Sequence, residues 1–257
     1  MKFLPEVDSI CILLGCCLLV CSCSIKTDRS DCPCVLSIEM QDPLSKVEFA
    51  LLRDGETRLE KTLEPENFSM GICKFDIVRG RYIFSIHEGC SSIEEGMQAD
   101  SLYAWTSGDY LDANREELVI SPQLGKQFAT MYLEMVTQDE SSDKFDLAVV
   151  GSVSGIDMAA LTPLPGKFRY EPERKSDGLY TVRIPRQFPD GKGLQIILFD
   201  KERQLAVLPV SEYISYMGYD WTDFDLEDIY ISINCEVTDF GMEVLDWKVG
   251  FYKAEVL

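Results

Sequence analysis

The chain has 257 residues, a formal charge of −20 and a hydrophobic fraction of 46%. That length suits one large all-β domain or two of ordinary size, and the apolar fraction is ample for a core. The charge disfavours a nucleic-acid partner and argues against a body lying flat on anionic lipid, because both surfaces repel an acidic protein.

The stretch from Ile10 to Cys34 organises the rest of the chain. An apolar run, Ile10 to Val20, ends at Val20-Cys21-Ser22-Cys23. It has the length of a signal h-region and falls short of the roughly 20 residues that span a bilayer. A small residue directly before a cysteine, with an aliphatic residue two further back, resembles the lipobox read by bacterial lipoprotein signal peptidase. On that reading residues 1–22 are a signal peptide. Cys23 becomes the lipidated first residue of the mature protein, and residues 23–33 form a spacer. Several acyl chains anchor stably, since each buried CH₂ adds about 0.8 kcal/mol. Leu13-Leu14-Gly15-Cys16 fits the same pattern but would leave a very short apolar segment, so Cys23 is preferred.

Of ten cysteines, Cys11, Cys16, Cys17 and Cys21 lie in the signal, and Cys23 carries lipid. Cys32, Cys34, Cys73, Cys90 and Cys235 remain, an odd number. Cys32 and Cys34 are too close to bond each other well. The only histidine is His87, and no second close cysteine pair exists, so a zinc site is not expected. Buried single thiols are the default, with a disulfide from Cys32 or Cys34 to a later strand as the alternative.

From Cys34 the pattern has period two, with Leu36, Ile38 and Met40 on one face. Asp42-Pro43 breaks it. Val47, Phe49 and Leu51 alternate, Asp54-Gly55 makes a hairpin turn, and Thr57 to Leu63 returns. Cys73, Phe75 and Ile77 form the next strand. Arg79-Gly80 turns into Tyr82, Phe84 and Ile86. Residues 89 to 115 read as a long excursion, and strand pattern resumes at Glu117–Ile120 and Gln127–Val136.

The polar run Thr137 to Lys144 is the best linker. A second alternating series comes after it: Phe145 to Val150, Leu179 to Ile184, Leu194 to Phe199 and Gln204 to Pro209. Ser211 to Met217 reads as one or two helical turns capped by Ser211. Ile229, Ile231, Ile233 and Cys235 alternate, Thr238 to Gly241 turns, and Met242 to Lys253 closes the chain with Trp247 on its apolar face. Many short strands without a sustained helical period predict β-sandwiches. The division is an N-terminal sandwich over 34–138 and a C-terminal one over 139–257. Phe49, Phe75, Tyr82 and Phe84 are the expected core of the first, and Leu198, Ile231, Ile233 and Trp247 that of the second.

No nucleophile elbow, phosphate loop, zinc-protease motif or calcium-loop spacing is present. No enzyme activity and no cofactor are expected. His87 sits in an alternating strand and reads as structural. Asp220, Asp223, Asp225, Glu227 and Asp228 cluster around Trp221 and Phe224. Carboxylates of this kind hold calcium, but the spacing lacks a metal-loop glycine and reads as a solvated loop. Tyr213, Tyr216, Tyr219, Trp221 and Phe224 form either a sugar-stacking platform or the cap of a core.

Three segments together resemble the FimB-type fimbrial anchor subunits of Bacteroides-type fimbriae. The first is the lipobox with Asp28-Arg29-Ser30-Asp31-Cys32-Pro33. The second is Val47 to Gly55 with Phe75 to Tyr82. The third is Glu212-Tyr213-Ile214, Asp220-Trp221, Asp228 to Ile233 and Val244-Leu245-Asp246-Trp247. The resemblance implies two transthyretin-like β-sandwich domains and a lipid anchor in the outer membrane. It also implies fimbrial shaft subunits as partners and a part in fimbrial assembly or length control. Cys34 and His87-Glu88-Gly89 depart from the family's usual pattern. Strand exchange between subunits points to the end of the chain, with Lys253, Ala254, Glu255, Val256 and Leu257 as contact residues. The competing reading is a lipid-anchored glycan- or ligand-binding sandwich of the cell surface.

Overall fold

The computed structural model describes residues 32–40, 45–90, 101–136, 145–176, 178–190, 192–236 and 239–246. Cys23, Trp247 and Lys253 to Leu257 lie outside the described residues. The chain is all-β, and its strands form four sheets around two apolar cores.

The first core lies between a three-stranded and a larger sheet. In the smaller sheet β1 (Cys34–Glu39) runs antiparallel to β4 (Ile72–Ile77) and parallel to β8 (Glu117–Ile120). The larger has the order β3 (Glu56–Leu63), β2 (Val47–Arg53), β5 (Arg81–Glu88), β6 (Tyr103–Thr106), β9 (Gly125–Lys126). A short β7 (Leu111–Asp112) pairs with β5. Thus the segment read as one long excursion holds two strands. The β2–β3 hairpin turns at Asp54 and Gly55, both at positive φ (56° and 76°), as a tight hairpin of matching twist requires.

Phe49, Tyr82 and Phe84 are buried as the alternation predicts. Phe49 meets Phe75 edge-on at 5.4 Å and lies 6.3 Å from Phe84. Phe75 is only half-buried, contrary to expectation. Its strand β4 is a sheet edge, so the ring sits at the sandwich rim, where the Lys61 ammonium covers it at 4.0 Å.

The second core lies between two further sheets. One has the order β13 (Glu173–Ser176), β14 (Leu179–Pro185), β10 (Phe128–Val136), β17 (Ile229–Glu236), β18 (Asp239–Asp246). The other has the order β12 (Thr162–Tyr170), β11 (Asp146–Asp157), β15 (Gln195–Asp200), β16 (Arg203–Leu208). Leu198, Ile231 and Ile233 are buried, as predicted. β10 lies before the division at 138/139 drawn from the sequence, yet it pairs with β14 and, in parallel, with β17. Ala129, Met131, Leu133 and Met135 fill the second core, so the two cores part between Leu124 and Ala129. The helix α1 (Val210–Tyr216) starts one residue earlier than expected. Pro209 is its N-cap, and Ser211 lies inside the helix, buried rather than capping.

Candidate functional site

The chain crosses from one sandwich to the other at Gly125–Phe128, and this crossing is held from both sides. The Gln127 backbone N–H donates to the Leu102 carbonyl at 2.8 Å, and the Phe128 ring meets Tyr103 edge-on at 5.6 Å. From the second sandwich, the loop 219–228 folds over the crossing. The Lys126 N–H donates to Asp225 Oδ1 at 2.8 Å, and the Leu226 N–H donates to the Lys126 carbonyl at 3.1 Å. The Lys126 ammonium pairs with Asp228, which also accepts from the Thr130 N–H at 2.8 Å. Gly125 is required by close approach: a Cβ there would lie 2.3 Å from the Phe224 carbonyl oxygen.

Arg186 is the centre of this junction. It follows β14, is 5% exposed, and donates from all three guanidinium nitrogens. Nε bonds Gln127 Oε1 at 2.8 Å, Nη1 bonds the Trp221 carbonyl, and Nη2 bonds the Asp223 carbonyl at 2.6 Å. Gln127 is itself buried and donates from Nε2 to the Gly125 and Phe224 carbonyls. One side chain thus ties the end of β14 to the crossing segment and to the 221–224 loop. Burial pushes the Arg186 pKa down, while the nearby Asp223 and Asp220 carboxylates pull it up.

Beside the junction opens a cleft of about 590 Å³. Its walls are the β11–β12 turn (Ala160 to Pro163), the segment 186–189 and the loop 221–224, with Gln127 at its base. Leu161 holds a positive φ of 52° in the turn, and the Thr106 hydroxyl donates to the Ala159 carbonyl at 2.9 Å.

The acidic cluster falls into structural roles. Asp220 accepts from the Thr222 N–H and hydroxyl, which hold its pKa down, while Asp225 and Asp228 serve the junction. Among the described residues no group of His, Cys, Asp and Glu could hold a metal ion. The aromatic set does not form one platform. Tyr219 and Trp221 are buried, Phe224 is half-exposed at the cleft, and Tyr216 stands in solvent on α1. His87 lies in β5 between Glu48 and Ala104, half-buried, with Nδ1 lacking a hydrogen-bond partner. Cys34 and Cys73 are buried thiols whose pKa values burial raises, and Cys32 is exposed. Cys235 lies in β17.

Sheet edges differ in how they are guarded. β12 carries Pro163, Pro165 and Gly166, β13 is wholly exposed and charged or polar, and β3 alternates charges along its length. Such residues discourage pairing with another chain. β16 carries no charge after Arg203, and Val207 on it is 41% exposed. Sequence reasoning missed Arg186 and Gln127, since neither lies in a motif.

No protein-family model matches the chain, and no curated protein matches it. Solved structures do. A DUF1812 protein of Bacteroides thetaiotaomicron VPI-5482, provisionally described as polysaccharide binding, is 11% identical with a TM-score of 0.64. The match covers 87% of this chain and 98% of that one. The fimbrial anchor protein Mfa2 of Porphyromonas gingivalis is 10% identical with a TM-score of 0.61, over 86% of this chain and 100% of Mfa2. A second Bacteroides thetaiotaomicron protein, provisionally described as an adhesin, is 12% identical with a TM-score of 0.60, over 86% and 99%. This chain has the fold that Mfa2 shares with these Bacteroides proteins.

Proposed function

We propose that this protein is a non-enzymatic lipoprotein of the outer membrane that fastens fimbriae to the cell and takes part in their assembly or length control. The observation that carries the reading is the likeness to Mfa2 along the whole of that fimbrial anchor. The sequence at Val20 to Cys23 supplies the tether. The weakly guarded edge at β16 offers backbone groups for a partner strand, and Lys253 to Leu257 are the proposed contact from the far end of the chain. Replacing Cys23 with alanine tests the tether and the role together. The Cys23→Ala protein is expected to leave the membrane fraction, and fimbriae are expected in the medium. Full membrane retention with unchanged mass would move the anchor to Cys16.

A second reading, a glycan-binding surface protein, draws on two observations. One is the cleft beside Arg186 with its aromatic and amide lining; the other is the polysaccharide description of a protein with the same fold. Titration with oligosaccharides followed by calorimetry tests it, and no binding by any glycan would remove it.

A further inference from the structure

The guanidinium of Arg186 is buried and directly hydrogen-bonded only to neutral groups, with the Asp223 and Asp220 carboxylates acting on it from a distance. Its three hydrogen-bonded acceptors, Gln127 Oε1 and the Trp221 and Asp223 carbonyls, are all neutral. A guanidinium has five N–H donors. Three are used here, which leaves one N–H on each terminal nitrogen without an acceptor among the described residues. Burying a cation with neutral partners only is costly, and an anion placed against it recovers that cost. Arg186 also lines the cleft, so such an anion has a route to it.

The rest of the lining specifies what else the anion carries. Phe188, Phe224 and the two prolines Pro163 and Pro189 give flat apolar walls, while Gln187 and Thr162 bring amide and hydroxyl groups. Flat apolar walls interleaved with amide and hydroxyl groups suit a ring with one apolar face and a hydroxyl rim. They suit an aliphatic side chain less well. The volume of about 590 Å³ is that of a small-ligand site. Asp220 and Asp223 stand close by, and the chain carries −20, so a densely charged polyanion is repelled.

We propose that this cleft binds one acidic sugar residue of a glycan, with its carboxylate on Arg186 and its ring against Phe224. This deepens the glycan-binding reading and rests on it, but does not depend on the anchoring role.

The test uses the full-length lipid-free chain and three probes: methyl glucuronide, the methyl ester of that glucuronide, and methyl glucoside. Binding is read by ligand-observed NMR and calorimetry. The glucuronide is expected to bind at least tenfold more tightly than either uncharged probe. Phe224→Ala, at a half-exposed position, is expected to weaken glucuronide binding at least tenfold while leaving the melting temperature nearly unchanged. Arg186→Lys is expected to keep the charge but lose the preference for the acid. Equal binding of acid and ester would overturn the proposal while leaving glycan binding in place. No binding of any sugar would overturn both. Tighter binding of an acetylated Pro-Phe dipeptide than of the glucuronide would reassign the site to peptide carboxylates.

Discussion

Arg186 Nε donates to Gln127 Oε1 at 2.8 Å, and this bond joins the end of β14 to the segment through which the chain leaves the first sandwich. Because Gln127 is also bonded to Leu102, Gly125 and Phe224, the two sandwiches meet through a filled polar junction. In the proposed role of a tethered filament anchor, such a junction would pass a pull from one half to the other.

The junction is therefore expected to matter for stability. Gln127→Ala strands buried donors and acceptors and should cost about 1–3 kcal/mol. Gly125→Ala should cost about 1–3 kcal/mol by overpacking against the Phe224 carbonyl. The two losses should not add in the double variant, since both act on one network. Urea unfolding of the three variants measures this; full additivity would mean the network is not a unit.

The rim position of Phe75 separates it from its neighbours. Phe84→Ala should cost about 3–5 kcal/mol, and Ile231→Ala in the second core about 2–5 kcal/mol. Phe75→Ala should cost clearly less than Phe84→Ala, because part of its ring already faces water. Equal losses at Phe75 and Phe84 in denaturant unfolding would contradict the edge placement of β4.

His87 gives a pH dependence that is simple to isolate, as it is the only histidine. Burial lowers its pKa below the ordinary 6.5, against the attraction of Glu48 and Glu60. The unfolded chain therefore takes up the proton first. The stability that this site contributes is present above pH 6.5 and is lost as pH falls from there through the lowered folded-state pKa. Urea midpoints should drop from about pH 7 towards about pH 5, and His87→Gln should flatten that slope. An unchanged slope would assign it to carboxylates.

Much of this fold was legible as alternation. β1, β2, β5, β14 and β17 follow period two because one face of each strand is buried, and Asp54-Gly55 marked its hairpin. β12 was not legible, since Pro163, Pro165 and Gly166 hide its pattern. The allegiance of β10 was not legible either. Its parallel partner β17 lies far along the chain, and strand pairing at that distance leaves no local mark. The junction escaped for the same reason. Arg186, Gln127 and Trp221 are brought together only by the tertiary fold.

Isolation of tagged protein from intact cells tests most directly whether this protein fastens fimbriae to the cell. Gentle membrane solubilisation, affinity capture and mass spectrometry should recover it in high-mass assemblies with fimbrial shaft subunits. Immunogold should place it at the filament base. Removing Lys253 to Leu257 should leave it folded and membrane-bound but without filaments. Recovery of the full-length protein alone, with cells lacking it still carrying attached fimbriae of unchanged length, would contradict the account.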